Sequence, residues 1–330
     1  MSNPLTGSEW LARIDDVLGG ELREVEAIYA AELQSASPYV RDILAQASRF
    51  RGKRLRPMLL LLTAAAGGGI RRDHRVLAAV VEMIHTATLV HDDVLDEAAT
   101  RRHVATVNNR WNNETSVLFG DYLFTHSFHL AASLKSTAAC RLIGRSTNII
   151  CEGELTQIRE RGNLELSESD YLKIIDGKTA ELCALCCRLG ALYAEATDTV
   201  IQAAERFGRG LGMAFQIADD ILDLIGKESQ TGKTLGSDFA KQKLTLPLIR
   251  LLATSGEPES TRLRELLLRA DEESCAAVRE LLLDGDGLHY ARNRALEFAA
   301  SARESLAPLP DTESRRVLEE MTDFAALRSF

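Results

Sequence analysis

Apolar residues recur every three or four positions along most of the chain. Val76, Ala79, Val80, Met83, Ile84 and Ala87 mark one stripe, and Leu182, Leu185, Leu189 and Leu192 mark another. That spacing predicts helices with one face turned inward. No proline falls between Pro57 and Pro247, so nothing in this Ala- and Leu-rich stretch forces a helix to break. Gly67–Gly69 reads as a helix end, Gly162 with Asn163 as a turn, and Ser167 followed by Asp170 as a capped helix start. After Pro258 the pattern is of short charged amphipathic helices, the last over Glu313 to Phe330. Period-two alternation is scarce and no Asn-Gly hairpin signal occurs. The expectation is an all-α protein of about ten helices. With no repeat and no long linker, it reads as a single domain over residues 1–330.

Composition narrows the partners. Hydrophobic residues make up 45% of the chain, enough for a large core. Lys and Arg number 39 against 48 Asp and Glu, a formal charge of −9, which argues against nucleic acid as a partner. The longest largely apolar run, Met58 to Ala66, is under half of the ~20 residues a membrane span needs. Glu9, Arg13, Asp15 and Asp16 stand where a signal peptide would be apolar, residue 2 is Ser rather than the Gly of a myristoylation signal, and no Cys lies four from the end. A soluble, cytoplasmic protein is expected. Cys183, Cys186 and Cys187 share one helical face without partner ligands at metal-site spacing, so they read as core.

Candidate chemistry lies in two aspartate clusters. Asp92, Asp93 and Asp96 form Asp-Asp-Val-Leu-Asp, and Asp219, Asp220 and Asp223 form Asp-Asp-Ile-Leu-Asp. Each follows a long apolar helical run, where the macrodipole does not favour acids. Residues i and i+4 share a face, so the first and last carboxylates of each cluster can reach one ion. Like charges at that spacing ask for a cation, and hard oxygen donors suit Mg²⁺, which also binds substrate phosphates.

Cations are grouped as well. Arg51, Lys53, Arg54 and Arg56 lie in one short run, and Arg101-Arg102 follow the first Asp cluster. Lys178 stands in Asp-Gly-Lys-Thr, and Lys233, Lys241 and Lys243 follow the second cluster. Guanidinium and ammonium groups recognise phosphate. Carboxylate clusters repel phosphate unless a metal bridges them. Both charge types together therefore point to two phosphorylated ligands, one held through metal and one by bare cations. Arg71-Arg72 and Arg161 read as solvated loop charges. His85 lies within two turns of Asp92 and reads as a ligand contact.

Gly52-Lys53-Arg54-Leu55-Arg56-Pro57 and the run Glu82 to Asp96 resemble the trans-isoprenyl diphosphate synthases. So do Arg101-Arg102, Gly120-Asp121-Tyr122, Gly177-Lys178-Thr179, Phe215 to Asp220 and Thr245-Leu246-Pro247, all in family order from about Arg41 to Arg328. Arg51 and Gln242 depart from the family pattern, each standing where a Gly is common. The resemblance implies a helical bundle of the isoprenoid synthase type around a central cavity. It implies that an allylic diphosphate, farnesyl or geranylgeranyl, condenses with successive isopentenyl diphosphates to an all-trans product.

In that reading Asp92, Asp93, Asp96, Asp219, Asp220 and Asp223 form the metal set for Mg²⁺. Arg101, Lys178 and Lys233 complete the clamp on the allylic diphosphate. Lys53, Arg56, His85 and Arg102 hold isopentenyl diphosphate, and Thr179 and Gln216 stand by the reacting allyl group. The resemblance also implies a homodimer, with transient membrane-surface contact for product release. Thr88 and Ala87, four and five before Asp92, are small where short-chain relatives carry an aromatic. A long product of about seven to ten isoprene units is therefore expected, with walls from Val80, Val81 and Ile84 and Phe128 as floor. The alternatives are a short-chain farnesyl or geranylgeranyl synthase and a catalytically silent subunit. The silent form would have lost an Asp cluster or the basic pairs.

Overall fold

The computed structural model describes residues 7–50, 52, 54–226 and 236–326. The chain divides into two compact units, each discontinuous in sequence. The first comprises Met1–Arg145, Cys183–Gly208 and Ser305–Glu320; the second comprises Ser146–Leu182, Arg209–Glu304 and Met321–Phe330.

The first unit holds helices α1 (Gly7–Glu32), α2 (Pro38–Ala47), α3 (Leu55–Gly67), α4 (Arg72–Leu95), the single turn α5 (Val107–Arg110) and α6 (Asn113–Ala132). Ser37 caps α2 by accepting from Val40 N, with Pro38 at the first helical position, where its missing N–H costs nothing. Leu59 to Leu62 are all fully buried, so α3 is enclosed on every side, as its unbroken apolar run requires. α4 is buried continuously from Val76 to Ile84 and packs against α1, α3 and α6. Gly68 and Gly69, at φ +153° and +115°, end α3 where the sequence places its stop.

The second unit takes most of α7 (Ala138–Arg159), then α8 (Glu168–Ile175) and a π-helical turn (Asp176–Ala180). It continues with the start of α9 (Glu181–Tyr193), the C-terminal part of α10 (Asp198–Ile225) and helices from Ser237–Ala240 to Gly287–Ser305. Ser167 caps α8 by accepting from Asp170 N, as the sequence predicts. Ile174, Ile175, Met213, Ile217, Ile221, Leu246 and Leu282 join in its core. The charged helices expected after Pro258 are Glu259–Arg269, Glu272–Asp284, Gly287–Ser305 and Glu313–Ala326. Cys183, Cys186 and Cys187 are buried free thiols. Among the described residues no helix is long and apolar enough to cross a membrane.

One local element departs from the all-helical expectation. Thr100–Arg101 and Val104–Ala105 pair antiparallel, joined by Arg102 and His103 with φ of 51° and 63°. Both turn residues are left-handed, the geometry of a tight hairpin turn that usually selects Asn-Gly. Tertiary contacts supply what the turn sequence lacks. Gln46 Nε2 donates to Ala105 O at 2.6 Å, and the Thr106 hydroxyl donates to Ala98 O at 2.6 Å.

His74 ties the start of α4 to α9. Its Nδ1 accepts from Arg71 N at 2.8 Å, so the proton sits on Nε2, which donates to Gly190 O at 3.1 Å. Burial, followed by the Arg71 charge, holds its pKa below the ordinary histidine value. The unfolded chain takes up a proton near pH ~6.5 while the folded ring resists it, so His74 stability is lost as pH falls from there towards the folded pKa. The stability difference between wild type and His74→Gln should therefore shrink between about pH 7.5 and 5.5. Urea midpoints across that range test this; a constant difference would show that His74 is not held neutral.

Candidate functional site

In the first unit, α4 brings His85, Thr88 and Asp92 onto one stripe, because steps of three and four residues return to the same face, and Asp96 follows as the cap at its C-terminal end. All four are half-buried, whereas Ala87, Val90 and Asp93 on other faces are buried. The carboxylate of Asp93, 1% exposed, accepts from Arg101 Nε at 2.8 Å and Nη2 at 2.7 Å. The hairpin returns Arg101 to that carboxylate eight residues after it.

Arg56, in the first turn of α3, meets the same stripe. Arg56 Nη1 lies 3.2 Å from His85 Nε2, which accepts the bond. Burial, then Arg56, Arg102, Arg101 and Arg54, pushes the His85 pKa well below its ordinary value, so the ring is neutral. Arg102 reaches the backbone of Gly52, where a Cβ would sit 2.5 Å from its guanidinium. Burial and the neighbouring Arg101, Arg56 and Arg54 charges lower the Arg102 pKa, opposed in part by Glu82. Mutually repelling guanidiniums of this kind favour a bound anion. Arg54 is engaged elsewhere, since it donates to Glu26 and to Glu82, each at 2.5 Å, and lies over the Tyr29 ring. Lys53 lies outside the described residues.

In the second unit, the π turn presents Lys178 and Thr179. Lys178 Nζ lies 3.0 Å from Glu154 and donates to Gln157 Oε1 at 2.7 Å. The Thr179 hydroxyl donates to Gln216 Oε1 at 2.8 Å, and Gln216 Nε2 donates to Asp220 Oδ1 at 2.6 Å. Two glycines let neighbouring backbones close on the turn. A Cβ at Gly153 would meet Lys178 N at 2.7 Å, and one at Gly212 would meet Ala180 Cα at 2.6 Å. A π turn inside an α-helix often marks a functional site.

The second aspartate cluster divides as the first does. Asp219 is half-buried. Asp220 is 4% exposed, and its other oxygen accepts from Tyr171 at 2.7 Å. Burial, then the charge of Asp238, pushes its pKa up to about 7. Asp223 accepts from Ser237 N, Ser237 Oγ and Asp238 N at 3.0–3.3 Å, so it anchors the start of helix Ser237–Ala240. Burial and Asp238 raise its pKa to about 6. Lys243 pairs with Asp238 at 3.3 Å. Lys233 lies outside the described residues.

Among the described residues, no group of three or more His, Cys, Asp or Glu is gathered closely enough to hold a metal by itself. The donor chemistry still fits a hard divalent cation. Asp92 and Asp96 stand one turn apart at the end of the half-buried stripe, and Mg²⁺ needs only one or two carboxylates beside substrate phosphates and water. Sequence reasoning missed Tyr171, Asp238, Glu154 and Gln157, because none belongs to a charged cluster or a helical stripe with the named residues. Arg71 is exposed and pairs with Glu195 at 2.6 Å.

The polyprenyl synthetase family profile matches residues 37–283. The chain is 33% identical over 311 residues to the octaprenyl diphosphate synthase of Haemophilus influenzae, covering 94% of each. It is 37% identical over 310 residues to the nonaprenyl diphosphate synthase of Mycobacterium tuberculosis, covering 92% of this chain and 91% of that one. Its fold is similar to the crystal structure of a polyprenyl synthase from Caulobacter crescentus complexed with calcium and isoprenyl diphosphate. There the TM-score is 0.91 at 35% identity, over 96% of this chain and 97% of that one.

The close approach at Gly212 makes a specific demand. Gly212→Ala should cost about 1–3 kcal/mol, because the new methyl meets backbone that cannot turn aside. Gly20→Ala, at an exposed position of α1, meets nothing within 4 Å and should stabilise by about 0.5–1 kcal/mol through helix propensity. Chemical denaturation of both variants checks the contrast; equal effects would mean that the π turn yields freely.

Proposed function

The chain belongs to the polyprenyl synthetase family, and on that footing we propose that it is an all-trans polyprenyl diphosphate synthase, a prenyltransferase. It extends an allylic diphosphate, farnesyl or geranylgeranyl, with isopentenyl diphosphate. The observation that carries this reading is the single stripe of α4. His85, with Arg56 and Arg102 about it, forms a metal-free cationic site. Asp92 begins a carboxylate pair seven residues on, about 10 Å along the axis. Two oppositely charged sites at that separation suit two diphosphates held in different ways.

Of the six aspartates, Asp92, Asp96 and Asp219 would hold Mg²⁺, which when bound would supply positive charge to the allylic diphosphate. Asp93, Asp220 and Asp223 are engaged by Arg101, by Tyr171 with Gln216, and by the start of helix Ser237–Ala240. Their role is to position those groups. Arg101, Lys178 and Lys233 receive the charge that collects on the departing diphosphate, an electrostatic stabilisation built before the reaction begins. Arg56, His85, Arg102 and Lys53 fix isopentenyl diphosphate so that its double bond faces the new cation. Thr179 and Gln216 turn oxygen dipoles towards that cation. The final proton passes to the released diphosphate.

We infer a single catalytic domain over residues 1–330, since the family profile runs without a break over residues 37–283. The protein works in the cytoplasm as a homodimer, with transient membrane-surface contact for release of its apolar product. Both Asp clusters and the basic pairs are present, which disfavours the silent-subunit reading. The similar octaprenyl and nonaprenyl enzymes support a long product.

Chelation should abolish condensation and Mg²⁺ restore it. Asp92→Asn and Asp219→Asn should each lower kcat about 100-fold or more without unfolding the chain. Radiolabelled isopentenyl diphosphate incorporation measures this, and full turnover in either variant would remove the assignment.

Thr88→Phe should shorten a product of about seven to ten isoprene units to about three or four by closing the open side of the stripe. Ala87→Phe should do so as well, but at a cost in stability, because Ala87 is fully buried in a cluster with Phe119 and Leu123. Phe128, beside Phe124 at 5.8 Å between ring centres, is the position whose change to Ala should lengthen the product. Product sizing decides; a wild-type product of farnesyl or geranylgeranyl length would establish the short-chain alternative.

A further inference from the structure

One hydrogen-bonded chain links three elements of the second unit. Tyr171 on α8 donates to Asp220 Oδ2, Gln216 on α10 donates to Asp220 Oδ1, and Thr179 in the π turn donates to Gln216 Oε1. Tyr171 is 3% exposed and sits in the apolar core with Ile174, Ile217 and Ile221. Its hydroxyl is therefore placed in the core for one polar contact.

The two ends of a glutamine amide have nearly the same shape and opposite polarity, so its neighbours decide which end points where. A carboxylate with an oxygen accepting at Gln216 selects the nitrogen. The oxygen is left to Thr179 and to whatever lies beyond. The carboxylate can make that selection only while its plane is fixed, and the Tyr171 hydroxyl fixes it by holding the second oxygen at 2.7 Å.

We propose that Tyr171 is a positioning residue for the condensation: acting through Asp220, it keeps the carbonyl end of Gln216, not the N–H end, facing the allylic carbon that becomes positive. This rests on the reading that Gln216 stands beside the reacting allyl group. A carbonyl oxygen aimed at a developing cation stabilises it, whereas an N–H aimed there opposes it. The substrates are gripped elsewhere, so the effect falls on turnover and not on binding.

Tyr171→Phe keeps the ring and removes only the hydroxyl. It should lower kcat about 10-fold or more while the KM for each diphosphate changes less than about twofold. Asp220→Asn, also isosteric, loses the acceptor-only selection and should show the same split, which keeps the test open if the first variant folds poorly. In a Gln216→Leu background no amide remains to be turned, so adding Tyr171→Phe should change residual kcat less than about twofold. A merely structural tyrosine would lower stability in both backgrounds and multiply its effect on rate. The proposal is overturned by an active wild type with undiminished kcat in both isosteric variants, by a loss confined to KM, or by independent effects in the double variant. A wild type that forms no product from the two diphosphates overturns the underlying functional reading instead.

Discussion

A carboxylate placed on an apolar helix has lost much of its water, and it stays ionised only where donors or cations replace what was lost. This constraint recurs wherever the chain carries chemistry. Asp93 is answered by Arg101, Asp220 by Tyr171 and Gln216, Asp223 by two backbone amides and a hydroxyl, and Glu82 by Arg54. Each answer brings in a different segment of chain. The hairpin must fold back for Asp93, α8 must lie against α10 for Asp220, and helix Ser237–Ala240 must start beside Asp223. Breaking one such buried pair by removing a single partner costs about 3–5 kcal/mol, enough to matter against the small net stability of a fold. The acidic clusters thus organise the chain around themselves before any ligand arrives.

The cationic site obeys the same rule with the sign reversed. Arg56 approaches His85 closely only because the imidazole is neutral and can accept. A protonated ring there would face Arg56 with like charge in a site already crowded by Arg102 and Arg101. Repulsion that remains among the guanidiniums is the kind that a bound anion relieves. Arg54, next to this group in sequence, is taken out of it by Glu26 and Glu82. Adjacent arginines in one basic run therefore serve opposite purposes.

Much of this was legible in the residues. The stripes of α4 and α9, the stop at Gly67–Gly69 and the cap at Ser167 follow from spacing and local chemistry, which act within a few residues. The Asp clusters and basic pairs stood out because charge on an apolar background needs a reason. What was not legible depends on contacts distant in sequence. Tyr171 lies 49 positions from Asp220, and no local pattern joins them. The π turn inserts one residue into a helical pattern that reads equally well as continuous. The burial of Asp93 and Asp220 was not legible either, because sequence shows charge but not which face a carboxylate takes.

The hairpin shows why local rules failed at this place in particular. A two-residue turn with both positions left-handed costs about 1–2 kcal/mol for each residue that is not glycine. Arg102 and His103 both bear that cost. Asn-Gly would relieve the strain, but it would also remove the guanidinium that rests on Gly52. Strand geometry turns this to account. Arg101, in the strand, points to Asp93, whereas Arg102, first in the turn, is swung away to the Arg56 and His85 site. Adjacent arginines on a helix would diverge by about 100° and stay near one level of the axis. The strained turn directs the two guanidiniums to different partners, Asp93 and the Gly52 backbone, while both still bear on the His85 ring.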